Sequence, residues 1–155
     1  MNPRRWLLAC AWLSACSTLP SPRPSTADVW SGRLGLQDAS GQQWHAAFEL
    51  QGSAQQGELI LLSPLGSTLA RLRWDSQQAV LERGQQRWQQ ANVEQLSQQL
   101  TGTALPMGLL FDWLQAKATS AEGWLPDLSG LGEGRILARR ESPAPAVNLR
   151  IVLDR

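Results

Sequence analysis

Residues 58–74 read Glu58-Leu59-Ile60-Leu61-Leu62-Ser63-Pro64-Leu65-Gly66-Ser67-Thr68-Leu69-Ala70-Arg71-Leu72-Arg73-Trp74, and this stretch decides the fold. A solid apolar run, Leu59 to Leu62, enters a Ser63-Pro64-Leu65-Gly66 turn, where proline presets φ and glycine tolerates a left-handed backbone. The strand that leaves it alternates, with Ala70, Leu72 and Trp74 on one face and Arg71 and Arg73 on the other. The stretch is therefore a β-hairpin with one dry face. Its odd residue is Leu65, a large aliphatic at a turn tip, where exposure is expected. From the residues alone, such a leucine either packs under a neighbour or meets an apolar partner.

Outward from this hairpin the same pattern repeats. Trp30 to Leu36 is a first strand weakened by Gly32 and Gly35, and Asp38-Ala39-Ser40-Gly41 is a turn. Gln42 to Gln51 alternates, with Trp44, Ala46, Phe48 and Leu50 inward and Gln43, His45, Glu49 and Gln51 outward. After Trp74, a turn at Asp75 to Gln78 leads to a fifth strand, Ala79 to Arg83, and a short sixth surrounds Trp88. Successive hairpins predict an antiparallel meander, which must close or cover its dry face.

Two helices are placed to do so. Asn92 is an N-cap with Gln95 three residues on, Val93, Leu96 and Leu100 form a stripe, and Gly102 ends the helix. Pro106 is expected at the first position of the second helix, whose buried side is Met107, Leu110, Trp113 and Leu114. Neither is long enough to stand alone. Glu122 to Gly134 reads as loop with room for one strand. Arg135 to Arg140 and Val147 to Leu153 then form a strand pair across Ser142-Pro143-Ala144-Pro145. The predicted class is mainly β with α (α+β), with the helices covering the concave face of the sheet.

The N-terminus is not part of that domain. Arg4 and Arg5 precede a short apolar segment, Trp6 to Leu13, too short to span a bilayer. Leu13-Ser14-Ala15-Cys16 then resembles the bacterial lipoprotein signal motif; the alternative is an ordinary secretory signal with an incidental cysteine. The resemblance implies residues 1–15 as a removed signal peptide and Cys16 as the lipid-attachment site. Residues 16–28 form the lipidated cysteine and a Pro/Ser tether, and 29–155 the folded domain. Three acyl chains, at about 0.8 kcal/mol per buried methylene, hold a protein where one myristoyl chain does not. Ser17 follows the cysteine, and in proteins of this kind an aspartate there retains the chain at the inner membrane. Its absence implies the outer membrane, periplasmic side.

Composition excludes several function classes. The 155 residues carry a formal charge of +1, and −1 once Arg4 and Arg5 are removed, which gives no field to capture nucleic acid. No cysteine follows Cys16, so the domain has neither disulfide nor thiol chemistry. His45 is the only histidine and sits on a polar strand face, and the acids are scattered. Gly130-Leu131-Gly132-Glu133-Gly134 leads into a strand and is no phosphate cradle. No catalytic set, metal site or cofactor is expected. Eight tryptophans and no tyrosine mark a protein built for wide apolar surfaces.

Taken in order, these features resemble the outer-membrane lipoprotein receptor family LolB. The residues that carry the resemblance begin with Cys16, Trp30…Gly32-Arg33-Leu34 and Ser63-Pro64-Leu65-Gly66-Ser67-Thr68-Leu69. They continue with Trp88-Gln89-Gln90-Ala91-Asn92, Leu96…Leu100-Thr101-Gly102…Leu105-Pro106, Phe111-Asp112-Trp113-Leu114 and Leu149-Arg150-Ile151-Val152-Leu153. The resemblance implies an incomplete antiparallel barrel, or half-barrel, with helices covering an apolar cavity, which accepts acylated lipoprotein cargo from the periplasmic carrier LolA and releases it into outer-membrane lipid, as a monomer. It implies that Leu65 protrudes as the membrane-insertion residue. Trp44, Phe48, Leu61, Leu72, Trp74, Leu110 and Trp113, inward and bulky, are the acyl-cavity candidates, with plain core packing as the alternative for each. The sequence departs from the family between Trp113 and Arg135, where it is shorter, and it lacks a terminal tryptophan. A smaller or more open barrel is the expected consequence. Two other readings stand beside this one: a lipid-anchored periplasmic module with another apolar ligand, such as glycolipid, and an envelope hydrolase.

Overall fold

Strand β1 (Val29–Asp38) lies inside the sheet and is paired on both sides, with β2 (Gln43–Gly52) from Val29↔Gln51 to Gln37↔Gln43 and with β9 (Val147–Leu153) from Gly32↔Leu153 to Asp38↔Val147. The computed structural model describes residues 28–155. The expected signal peptide, Cys16 and the tether lie outside the described residues, apart from Asp28. From β2 the chain continues through β3 (Gly57–Leu62), β4 (Thr68–Trp74), β5 (Ala79–Arg83) and β6 (Gln86–Gln90). After the two helices come β7 (Trp124–Asp127) and β8 (Arg135–Arg140), which rejoin β9. All nine strands form one antiparallel sheet in the order β6-β5-β4-β3-β2-β1-β9-β8-β7. Its two edges, β6 and β7, are unpaired with each other among the described residues, so the barrel is open.

Local chemistry explains each turn. Asp38 accepts hydrogen bonds from the Ser40 hydroxyl at 2.5 Å and from the amides of Ser40 and Gln42. The Ser40 hydroxyl foremost holds its carboxyl below the usual range. Gly32 has a different task. A Cβ there would lie 2.1 Å from the Val152 carbonyl oxygen, so only glycine lets β1 and β9 approach this closely.

Helix α1 (Val93–Thr101) starts as its sequence indicates. The Asn92 side chain accepts the Gln95 amide at 3.0 Å, and left-handed Gly102 ends it by donating to Gln98 at 2.8 Å. It packs on β4, β5 and β6. Helix α2 (Met107–Leu114) begins one residue later than expected: Pro106 has ψ 80° and is the residue before the helix, not its first position. A proline lacks the donor that a first turn leaves unused, so either position suits it. The loop-like 122–134 segment holds β7 and a single 3-10 turn, Leu131–Glu133. β7 contains Pro126 and survives because it is an edge strand, bonded on one side only.

The inner face of the sheet and both helices share one core, which includes Leu34, Phe48, Leu61, Leu72, Leu110, Trp113 and Ile136. The architecture is mostly antiparallel β with two helices laid on the inner face, in line with the expected class.

Candidate functional site at the hairpin tip and beneath the helices

The registers gather four turns at one end of the sheet: those between β1 and β2, β3 and β4, β5 and β6, and β8 and β9. The start of β1, the β2–β3 loop and the β4–β5 turn lie at the other end. Leu65 is at the first end, at the crown of the β3–β4 turn, and is 94% exposed. Its setting is rigid. The Gly66 amide donates to the Ser63 carbonyl at 2.9 Å, and the Ser63 amide donates to the Ser67 carbonyl at 2.8 Å. The Ser67 amide donates to the Ser63 hydroxyl at 3.1 Å, and Gly66 takes φ 81°. A turn closed by backbone bonds and a left-handed glycine holds its leucine out without help from packing.

The seven inward residues separate into two groups. Phe48, Leu61, Leu72, Trp74, Leu110 and Trp113 are buried in the core, with Leu61, Leu72 and Trp113 fully so. Trp44 is only half-buried and packs against that core from its edge. The structure thus brings all seven to one apolar interior, and side chains of α2 occupy the middle of it. Phe111 stands edge-on to Trp30 with ring centres 5.7 Å apart and lies 6.3 Å from Trp74. Trp113 meets Trp124 edge-on at 6.2 Å and donates its indole N–H to the Thr119 carbonyl at 2.8 Å. Helix α2 therefore reaches the strands largely through aromatic contacts.

Open space lies elsewhere. A groove of about 950 Å³ runs over the outer face of β2, β1, β9, β8 and β7, between Gly35, His45, Leu125, Leu137 and Arg150. A second cleft, of about 910 Å³, sits at the far end around Trp30, Trp74 and Gln115. Neither is bordered by Phe48, Leu61, Leu72, Leu110 or Trp113. These five side chains pack in the core that α2 shares with the sheet, and strand parity fixes which way a side chain points and not what fills the volume it points into.

Charge chemistry at the site is sparse. His45 is exposed on the outer face of β2. The described residues contain no group of three metal-ligating side chains, and no helix among them is long and apolar enough to cross a membrane. Arg140 places its guanidinium 5.4 Å from the centre of the Trp124 ring, while its Nε is buried without a hydrogen-bond partner. The ring face supplies the negative potential that a missing acceptor would have given.

The family model described as outer membrane lipoprotein LolB matches residues 29–132, from the first strand through both helices and β7. The chain belongs to the LolB family. Among relatives, the outer-membrane lipoprotein LolB of Bordetella petrii is 25% identical over 183 aligned positions, spanning 97% of this chain and 92% of that protein. Outer-membrane lipoprotein LolB of Ralstonia nicotianae is 32% identical over 128 positions, 72% of this chain and 60% of that one. The same-named protein of Thiobacillus denitrificans is 32% identical over 125 positions, 72% and 64% respectively. The LolB model stops before β8 and β9, whereas the Bordetella match includes nearly the whole chain.

One residue at the site escaped the sequence reading. Leu69 on β4 is 46% exposed beside the tip. The available signal was a leucine on the arginine-bearing face of an alternating strand.

Proposed function

We propose that this chain is an outer-membrane lipoprotein receptor. It accepts acylated lipoproteins from a LolA-like periplasmic carrier and inserts them into the inner leaflet of the outer membrane. In this reading Cys16 carries the lipid that holds it there, it acts as a monomer, and it performs no covalent chemistry. The observation that carries the proposal is Leu65, 94% exposed on a rigid turn of a LolB-family sheet whose interior is apolar.

The physics of the task is transfer without exposure to water. Each acyl methylene left in water costs about 0.8 kcal/mol, so cargo moves along an apolar path or does not move. The interior beneath α2 supplies that path when the helix lifts and Leu110, Phe111 and Trp113 give up their places to acyl chain. Trp44, Phe48, Leu61, Leu72 and Trp74 then remain as walls. Leu65 places an aliphatic side chain in the bilayer and brings the open end of the path against it. Direction follows from ranked affinities, each tenfold step being about 1.4 kcal/mol.

The packed interior favours one second reading, a lipid-anchored periplasmic module of the same fold with another apolar ligand or a structural role. A Leu65→Glu variant tests the first reading. It is expected to accept cargo normally and to stall at delivery to vesicles; delivery at the normal rate removes the role assigned to Leu65.

A further inference from the structure

The ladder between β3 and β4 slips beside the tip. Leu61 pairs with Ala70, but Leu62 pairs with Thr68, which leaves Leu69 as the extra residue of a β-bulge. In a regular ladder Leu69 would stand across from Leu62, at about 5 Å between Cβ atoms, and the two would cover each other. The slip offsets them, and Leu69 is 46% exposed while Leu62 is half-buried. The run Ser63 to Ala70 carries no charge. Farther from the tip the same outer face carries Arg71 and Arg73, with side chains 39% and 49% exposed.

We propose that the hairpin meets the bilayer along its outer edge and not at one leucine. Leu65 goes deepest, Leu69 lies in the boundary between headgroups and acyl chains, and Arg71 sits at the lipid phosphates with Arg73 on the water side of it. This rests on the reading of Leu65 as the membrane-inserting residue. Strand rise sets the depths: Leu69 is roughly 10 Å back from the tip and Arg71 about 7 Å farther. Apolar faces that lie in a membrane surface sink about 5–10 Å, which reaches Leu69 and stops short of the arginines. Arg71 stands 3.6 Å from Glu58 and Arg73 bonds Glu82 at 2.6 Å. Each guanidinium has five N–H donors, so donors remain for phosphate oxygens. An uncharged apolar edge backed by cations fits a phospholipid surface, acyl chains below and phosphates above.

The test uses the full, processed chain in vesicles of phosphatidylethanolamine and phosphatidylglycerol. A solvatochromic dye is attached at Leu69→Cys, with Leu65→Cys and, at the opposite end of the sheet, Gln77→Cys as references. The expected result is blue-shifted emission, quenched by bromine-labelled acyl chains, strongly at 65, less at 69 and not at 77. Quenching at 65 without 69 overturns this inference and leaves the role of Leu65 intact. Quenching at neither overturns both. A shift at 69 caused by the loaded carrier without vesicles also overturns it, by making the edge a protein contact. As a second measure, Leu69→Ser is expected to slow delivery roughly fivefold, the loss for about half a leucine's burial; an unchanged rate counts against the proposal.

Discussion

The Ser97 hydroxyl accepts the buried Leu105 amide at 2.8 Å and donates to the Glu94 carbonyl at 2.8 Å. One fully buried side chain thus ties α1 to the segment that starts α2. The two helices form a unit because of it. Ser97→Ala leaves the Leu105 N–H without a partner in a dry site, at a cost of about 1–3 kcal/mol. Urea denaturation of the domain reads this directly, and an unchanged midpoint means water reaches that amide.

Movement of α2 has its own test. A Cβ at Gly108 would lie 3.9 Å from the Ala54 Cβ in the β2–β3 loop. That separation suits a disulfide, whose Cβ atoms are about 3.5–4.5 Å apart. An oxidised Ala54→Cys/Gly108→Cys variant pins α2 over the interior. Cargo acceptance is expected to fall more than tenfold and to return on reduction. Acceptance that ignores the bond shows that acyl chains enter without α2 lifting.

Two glycines that look alike in sequence are expected to differ in stability. Gly32→Ala drives a methyl onto the Val152 carbonyl at 2.1 Å and forces β1 and β9 apart, a loss of about 2–4 kcal/mol. Gly41 has φ 86° but open space around it, so Gly41→Ala costs about 1 kcal/mol from backbone strain alone. Thermal unfolding of the pair checks the order; equal losses contradict the close approach of β1 and β9.

Geometry also constrains the tether. Val29 starts β1 at the end of the sheet opposite Leu65. The registers set Glu58 level with Val29, so Leu65 lies about seven residues, roughly 23 Å, along the strands from the start of β1. The chain from Cys16 to Asp28 reaches at most about 40 Å when extended. If Cys16 and Leu65 enter the same leaflet, that reach covers the distance with residues to spare. Deleting Thr18 to Ser25 cuts it to roughly 13 Å, short of that distance. The shortened protein is expected to accept cargo and to deliver it poorly in the vesicle assay, and normal delivery contradicts an upright pose on the membrane.

Much of this fold was legible because its signals are local. The alternation of Trp44, Ala46, Phe48 and Leu50 marks the inner face of β2, which is the face the structure buries or half-buries. Asn92 and Gly102 state the limits of α1 in their own side-chain and backbone chemistry. β7 was harder, since four residues with a proline carry almost no period, and it exists through its pairing with β8.

The site divided along the same line. Turn chemistry within five residues puts Leu65 at a tip and leaves packing under a neighbour open, and the family resemblance is what implied its exposure. Filling of the interior depends on where α2 settles, a long-range outcome that the parity of Phe48 or Leu72 does not contain. The offset of Leu69 from Leu62 likewise comes from a slip in pairing between two strands, and alternation within β4 is silent about it.

A receptor of this kind must take lipoprotein cargo from its carrier, and a transfer assay reads that step. The domain, residues 29–155, is mixed with a LolA-like carrier loaded with acylated lipoprotein, and the cargo is followed as the two proteins are separated. Most of the cargo is expected to move to the domain, and little to return. Cargo that stays on the carrier, with the domain folded and in excess, contradicts the receptor role.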